Sequence, residues 1–256
     1  MSTFKEKLYF NFDGIDSRSF NLVHIVLDSG MFEESLASNR EIVETKIAGS
    51  YKPSFNRLEL SPREFELNLA FEGEFTDSQI DKIIRWLFVD YYKPLYFIGS
   101  ESKLMYCLPV GDPTLVHNGL KQGYFRLQMR CNSPFIYSPI FVSEIYDLST
   151  IDKSIILSNR GHKNIYPEMS ITKIGDGNIS IVNKTDGGNI FDINQITNME
   201  EIYINCEKEI IQSDIPGIYR FNNIFGDFPR LVYGENTLEI SGRCKVQFRY
   251  QEIFEF

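Results

Sequence analysis

Residues 76–92 read TDSQIDKIIRWLFVDYY and carry the only long helical period in this chain of 256 residues. Thr76 and Gln79 have the spacing of a capping box, and Lys93-Pro94 marks a stop, because the residue before a proline avoids helical backbone angles. The apolar side chains recur every three or four residues and predict one buried stripe: Ile80, Ile83, Ile84, Leu87, Phe88 and Tyr91. The stretch therefore predicts a single α-helix at about 76–92.

The back of this helix is less polar than a solvated face should be. Trp86, the only tryptophan, lies just off the stripe, and Val89 points to the opposite side. Two interpretations are open. Either a neighbouring subunit covers these side chains, or they pack on a strand of the same domain.

The segment before the helix is the clearest predicted strand, Glu64 to Phe75. Its apolar side chains alternate with polar ones, so a slip of one residue would bury glutamates, and the register is fixed. The acidic members of the polar row are Glu64, Glu66, Glu72 and Glu74. This row is either a solvated sheet face or a wall that repels polyanions.

Other short strands are predicted on both sides of this pair. The chain up to Asn56 predicts strands ending at Asp13-Gly14 and at Ser29-Gly30, a strand at Arg40–Ala48, and a turn at Gly49–Asn56. After the helix we predict strands at Leu95–Ile98, Leu104–Val110 and Gly123–Cys131. Pro134 and Pro139 then interrupt pairing, which places a domain boundary near residue 140.

Beyond residue 140 the helical period disappears, and short strands follow at regular spacing. The segments GDGN at 175–178 and TDGGN at 185–189 are typical of hairpin turns, because Asp-Gly and Gly-Gly tolerate positive φ. A calcium loop needs a different alternation of ligands. The predicted fold is mainly β, with two antiparallel β-sandwich-type domains at 1–140 and 141–256, the first carrying the helix.

The composition of the chain disfavours several classes of function. A formal net charge of -9 disfavours sequence-independent binding to nucleic acid, which requires basic side chains. The four cysteines lie far apart without a CxxC pair, so reduced, structural thiols are expected. The N-terminus lacks an apolar signal region and no run approaches a membrane span, so we expect synthesis and folding in a cytoplasm.

Motifs for catalysis are absent. The sequence contains no GxGxxG, Walker, GxSxG or HExxH pattern, and His24, His117 and His162 each stand alone. Carboxylates are plentiful, but no two are marked as sharing a pocket. We predict neither an enzyme nor a cofactor or metal site.

Several short segments occur in an order typical of one known family. In the N-terminal part these are Arg85-Trp86-Leu87, Pro94-Leu95-Tyr96-Phe97 and Cys131-Asn132-Ser133-Pro134. In the C-terminal part they are Asn159-Arg160-Gly161, Tyr166-Pro167-Glu168-Met169, the run from Phe228 to Leu238 and the final strand from Val246 to Tyr250. In this order the chain resembles the distal tail proteins of long-tailed bacteriophages, the siphovirus tail component family.

The resemblance implies a structural virion protein at the distal end of the phage tail, synthesised in the host cytoplasm. Members form hexameric rings through the N-terminal domain and carry a galectin-like C-terminal sandwich. The implied partners are further copies of the chain, the tail tube protein, the tape measure protein, and a tail-associated hub, lysin or receptor-binding protein. DNA passes through the lumen without specific binding. On this view Trp86 and Val89 are candidates for the subunit interface, and the acidic row faces the lumen.

A carbohydrate-binding module for attachment to the host surface is the alternative. Sugar sites often stack a ring on tryptophan beside polar side chains. Residues 141–256 contain no tryptophan and only one histidine, His162, although tyrosine can substitute. The sequence therefore favours a scaffold role for this domain.

Overall fold

The computed structural model describes residues 4–27, 34–150 and 153–255, which form two compact units. The first unit comprises the described residues up to Tyr137 together with Glu255, and the second runs from Ser138 to Phe254. Strands dominate both units. Among the described residues the only α-helix is α1 (Asp77–Leu87), so the predicted mainly β class with one helix is confirmed.

The first unit is built on one seven-stranded antiparallel sheet. The described strands of the whole unit, in chain order, are β1 (Phe10–Phe12), β2 (Ile15–Asp16), β3 (Leu22–Ile25), β4 (Arg40–Thr45), β5 (Ser54–Leu60), β6 (Glu64–Phe71), β7 (Lys93–Phe97), β8 (Met105–His117), β9 (Gly123–Cys131) and β10 (Ile136–Tyr137). The order in the sheet is β2-β1-β7-β8-β9-β6-β3. Among the described residues, strands β4 and β5 pair only with each other, and they form a separate hairpin. The predicted turn at Ser29-Gly30 lies outside the described residues.

Alternation explains the packing of the central strands. In β6 and β9, Leu67 lies opposite Leu127 and Leu69 opposite Phe125, and all four side chains are buried. Residues directly opposite in an antiparallel pair point to the same face, so the apolar rows of both strands meet the same core. The predicted strand from Glu64 to Phe75 is too long at its end. It stops at Phe71: the Glu72 amide still donates to the Asn21 carbonyl (2.9 Å), and the chain then turns toward the helix.

Helix α1 begins as predicted and ends earlier. The Thr76 hydroxyl accepts a hydrogen bond from the Gln79 amide (3.2 Å), which caps the first turn. The prediction that the helix reaches Tyr92 is wrong, since Phe88 has φ -88° and ψ 79° and leaves the helical region. Strand β7 already begins at Lys93, which pairs with Cys107, so the intervening residues are needed to turn the chain.

A second strand of the hairpin was missed by the sequence interpretation. The region Gly49–Asn56, predicted as a turn, contains the start of β5, and the strand predicted at Arg40–Ala48 ends at Thr45. The strand predicted at Leu95–Ile98 is shifted, since β7 spans Lys93–Phe97.

The second unit contains two antiparallel sheets. Its strands are β11 (Phe141–Val142), β12 (Tyr146–Asp147), β13 (Lys153–Asn159), β14 (Glu168–Lys173), β15 (Gly177–Asn183), β16 (Asn189–Ile196), β17 (Glu201–Asn205), β18 (Ile210–Ser213), β19 (Ile224–Gly226), β20 (Gly234–Ser241), β21 (Cys244–Tyr250) and β22 (Ile253–Phe254). One sheet has the order β11-β21-β14-β17-β18, with β12 also on β21, and the other has the order β13-β20-β15-β16-β19.

Both sheets contribute to one hydrophobic core. Ile181 and Leu238 come from one sheet, Ile171 and Phe248 from the other, and all are buried in the same cluster. The TDGGN segment joins the paired strands β15 and β16, so its prediction as a hairpin turn is confirmed. The GDGN segment instead connects β14 to β15, which belong to different sheets, so a hairpin there is wrong.

Candidate assembly surface

Trp86 packs inside the first unit. The residue is 6% exposed, and its ring stacks on Phe20 (ring centroids 4.7 Å apart) and Phe10 (5.7 Å) and meets Phe12 edge-on. The indole Nε1–H donates to the Phe12 carbonyl over 2.8 Å. The apolar surface of the side chain is thereby buried, and its polar N–H is hydrogen-bonded, within the same unit. Val89 is half-buried, and a contact of Trp86 or Val89 with another subunit stays a prediction.

The predicted buried stripe of α1 is partly wrong. Ile83 and Leu87 are buried with Trp86, but Ile84 and Phe88 are exposed, and so is Tyr91 beyond the helix end. Trp86 packs against Phe10 and Phe12 of β1, so the side of α1 that carries the indole faces the core and the far edge of the stripe faces outward. The outer helix patch, defined as Ile84, Phe88 and Tyr91, is therefore the apolar surface that α1 leaves open.

The β4–β5 hairpin presents a second open apolar surface. Every residue from 39 to 59 is exposed except the half-buried Val43. Ile42 lies directly opposite Leu58, and Phe55 lies opposite Glu44 on the same face. These apolar side chains are 61% (Ile42), 37% (Leu58) and 64% (Phe55) exposed. We call Ile42, Phe55 and Leu58 the hairpin face.

A β-bulge places Phe55 on the same side of the hairpin as Ile42 and Leu58. Pairing shifts after Val43, which lies opposite Arg57, while the next residue Glu44 lies opposite Phe55. Asn56 is thus the extra residue, and its side-chain amide donates to the Thr45 hydroxyl (2.8 Å). A bulge re-aims side chains, so Phe55 and Leu58 share a face although they are three residues apart. The opposite face is charged and includes the Arg57–Glu59 contact.

The predicted acidic row has basic neighbours. Glu64 lies opposite Arg130 and forms an ion pair with it at 3.5 Å, and Arg126 lies opposite the buried Asn68. Glu66 lies opposite Gln128. Exposed pairs of this kind contribute little stability, but they reduce the local negative potential.

The other half of the row lies beyond the strand. Glu72 and Glu74 are exposed after the end of β6, and the Glu72 carboxylate accepts a hydrogen bond from the Tyr9 hydroxyl (2.7 Å). This bond raises the pKa of Tyr9, because the neutral phenol is the donor. A lumen-facing position for the four glutamates stays a prediction.

The histidines are not brought together. The His24 Nδ1 atom lies 2.8 Å from the Lys7 carbonyl oxygen, and burial lowers the pKa of His24. Within 4–27, 34–150 and 153–255 no group of three or more His, Cys, Asp or Glu side chains is arranged to hold a metal ion. In the same residues no helix is long and apolar enough to cross a membrane.

Comparison with known families agrees with this architecture. A model described as a phage tail protein N-terminal domain matches residues 5–133, and one described as a phage tail C-terminal domain matches residues 143–250. The chain belongs to this family of phage tail proteins. The sequence-based resemblance to phage tail components is thereby confirmed.

Individual relatives extend over nearly the whole chain. YomH, an SPbeta prophage-derived protein of Bacillus subtilis strain 168, is 30% identical over 247 residues, which cover 96% of this chain and 98% of YomH. The crystal structure of Dit from phage SPP1 is similar with a TM-score of 0.67 and 16% identity, covering 95% of this chain and 98% of Dit. That structure is described as a paradigm of the hub adsorption apparatus in phages that infect Gram-positive bacteria.

A chain of the phage P2 baseplate, in its activated conformation with Ca, is also similar. Its TM-score is 0.50 at 10% identity, and the match covers 96% of this chain and 98% of the baseplate chain. At these identities the two structural likenesses establish the fold. The chain therefore combines a phage tail sequence family with a Dit-like fold.

Proposed function

We propose that this protein is a structural subunit of a hexameric ring at the distal end of a phage tail. The ring joins the tail tube and tape measure proteins to a hub, lysin or receptor-binding protein, and DNA passes through its lumen without specific binding. The chain is made in the host cytoplasm and functions in the virion, in assembly and not in catalysis. The SPP1 Dit fold and the phage tail family support this role.

The open hairpin face is the observation that carries the proposal. A two-stranded hairpin alone is marginally stable in water, and a strand pair with one apolar face normally buries that face. Here Ile42, Phe55 and Leu58 are exposed together in the single chain. A second copy of the chain is the partner that gives this surface a cover in every subunit.

A closed ring needs two different surfaces on each subunit, because head-to-tail contacts pair unlike patches. The first unit offers two, the hairpin face and the outer helix patch. We assign them as partners, the hairpin of one subunit packing on the helix of the next. Val89 and the edge of Trp86 lie beside this contact in the proposal, and the acidic row Glu64, Glu66, Glu72 and Glu74 faces the lumen.

Two variants, each altered on one of the two proposed contact surfaces, test the arrangement. Ile42→Ser with Leu58→Ser disables the hairpin face, and Ile84→Ser with Phe88→Ser disables the outer helix patch. Light scattering and negative-stain imaging should show six-subunit rings for the wild type and monomers for each variant alone. A mixture of the two variants should give heterodimers, since each retains one complementary surface.

Ile156→Ser provides the matched control, because Ile156 is as exposed as Ile42 but lies in the second unit. It should form normal rings. The proposal is wrong if the wild type stays monomeric at all concentrations. The assignment of partners is wrong if both variants assemble normally, or if their mixture closes into full rings.

A further inference from the structure

The second unit contains an open cleft beside the β15–β16 turn, with a volume of about 940 Å³. Small-ligand sites commonly have volumes of roughly 300–1,000 Å³ and combine apolar walls with a few placed polar groups. The walls come from the turn at Asp186–Asn189, from Tyr166, and from the segment between Phe221 and Arg230. All of these residues belong to one unit and lie within the described part of the chain.

A charged hydrogen-bonding pair lies at one side of the cleft. The Arg230 Nε–H donates to Asp186 Oδ2 at 2.8 Å and an Nη2–H donates to Oδ1 at 3.1 Å. The Asp186 side chain is almost buried, whereas Arg230 remains partly accessible. Two of the five guanidinium N–H donors hold the carboxylate, so the pair fixes the direction of the others. The Tyr166 hydroxyl is also within hydrogen-bonding reach of Arg230.

Aromatic rings form another part of the lining. Phe221 is 62% exposed and Tyr166 is 42% exposed, so both rings offer open surface. Phe228 anchors the same wall, since its ring lies 5.1 Å from that of the buried Phe191. An exposed ring beside oriented polar groups suits a ligand with one apolar face and a polar perimeter.

Two glycines of the β15–β16 turn leave one side of the cleft without side chains. Gly187 and Gly188 have φ of +66° and +78°, and a methyl group added to either would point into open space. By contrast, a methyl group on Gly226 would lie 2.0 Å from the Ile190 carbonyl oxygen, so β19 packs tightly on β16. The part of the lining formed by β16 and β19 is therefore closely packed, while the turn leaves room for a ligand to approach the backbone.

The charge of the lining selects against anions. Three carboxylates, Asp186, Glu209 and Asp227, face a single cationic side chain, Arg230. A phosphate or uronate would be repelled by the two carboxylates that Arg230 does not pair. An uncharged polyhydroxyl ring meets both requirements, because its C–H face stacks on an aromatic ring and its hydroxyls can donate to carboxylates.

We propose that this cleft binds a neutral hexopyranose unit of a carbohydrate, stacked on Phe221, with adjacent hydroxyls at the Arg230–Asp186 pair. The site does not depend on ring formation, since every lining residue belongs to the second unit of one chain. Binding of a sugar is therefore measurable whether or not the protein assembles.

The experiment uses the full-length protein and defined probes. The methyl glycosides of glucose, galactose and N-acetylglucosamine are tested by saturation-transfer NMR and calorimetry, with glucuronic acid and glucose 6-phosphate as anionic counterparts. At least one neutral probe should bind with a dissociation constant in the millimolar range, and more tightly than either anion. Phe221→Ala should weaken that binding about tenfold, the equivalent of about 1.4 kcal/mol.

Phe225→Ala is the matched control, because Phe225 is 56% exposed on the neighbouring strand and lies outside the cleft lining. It should bind as the wild type does. Tyr166→Phe, which removes a single hydroxyl, tests the polar side of the cleft without changing its shape and should weaken binding several-fold. The proposal is overturned if no neutral probe binds, if an anion binds more tightly, or if Phe221→Ala and Phe225→Ala behave alike.

Discussion

Ile42 and Leu58 lie directly opposite each other across the β4–β5 hairpin, and both are open to solvent. Cross-strand apolar pairs stabilise a hairpin by only about 0.2–1 kcal/mol each. No other strand pairs with β4 or β5 among the described residues. In the proposed ring, the neighbouring subunit supplies the cover that stabilises this hairpin.

Hydrogen exchange follows from this dependence. In the monomer, backbone amides of β4 and β5 should exchange within seconds to minutes, because local opening costs little free energy. In the ring they should be protected by at least about tenfold, equivalent to about 1.4 kcal/mol of added local stability. Mass spectrometry of peptides covering residues 40–60 measures both states. Peptides from β14 and β17 should not change, and equal exchange of 40–60 in both states would contradict the proposed contact.

Trp86 should be more important for stability than for assembly. Trp86→Ala is expected to destabilise the first unit by about 3–5 kcal/mol, since it empties a site packed against three phenylalanine rings and removes the bond to the Phe12 carbonyl. Urea unfolding followed by circular dichroism measures the loss. Tyr91→Ala, at an exposed position, should change stability by less than about 0.5 kcal/mol.

How far the sequence predicts the fold is clear from this helix. The capping residue Thr76 is a local signal, so the start of α1 was predictable. The outward face of Ile84 and Phe88 was not, because periodicity identifies an apolar stripe but not which edge the rest of the fold covers. The position of Trp86 depends on phenylalanines far away in sequence, such as Phe10 and Phe20.

The hairpin shows a second limit. Strand β5 was missed because its bulge at Asn56 breaks the period of two between Phe55 and Leu58. In contrast, β14 and β21 have uninterrupted alternation, and β14 pairs with β21 along its whole length, from Glu168 to Lys173. The cleft was also unpredictable, because Tyr166, Asp186 and Arg230 are distant in sequence and carry no common motif.

Acid should destabilise the second unit through Glu200. This carboxylate is buried with Arg220, whose Nε–H donates to it at 2.7 Å, and it also accepts hydrogen bonds from Ser213 and Thr197. Burial raises the pKa of Glu200, but the hydrogen bonds from Arg220, Thr197 and Ser213 together outweigh it, so the pKa in the folded protein is lowered.

Because the pKa of Glu200 is lower in the folded protein, the ionised carboxylate stabilises the fold at pH values above the ordinary glutamate pKa. This contribution is lost as the pH falls through the pKa of the folded state. Glu200→Gln should cost about 3–5 kcal/mol at pH 7, because Arg220 is left buried without its counterion. It should also flatten the acid limb of the stability profile, measured by urea unfolding at each pH. Glu201→Gln, at the exposed neighbouring position, should retain the wild-type profile.

The four cysteines should be unreactive in the folded protein. All four are buried and none forms a disulfide with another described residue, Cys107 lies opposite Cys131 in β8 and β9, and burial raises the pKa of the Cys107 and Cys206 thiols. Since the thiolate is the nucleophile, a disulfide reagent at pH 8 should modify none of them before unfolding and all four afterwards. Ser241→Cys, at an exposed position, should add one fast-reacting thiol. Rapid labelling of the wild type would show that the native core opens readily.

The proposed lumen-facing position of the acidic row predicts an effect on DNA passage that the net charge of the protein alone does not predict. Replacing Glu64, Glu66 and Glu72 with lysine should slow DNA ejection from assembled phage, because lysines facing the lumen bind phosphates and release counterions. The matched control makes the same change in net charge at three exposed glutamates of the second unit: Glu144, Glu207 and Glu235. DNA ejection is measured at two salt concentrations from the signal of a dye that binds the released DNA. Only the first variant should be slow, and high salt should restore its rate, whereas equal ejection by both would place the row away from the lumen.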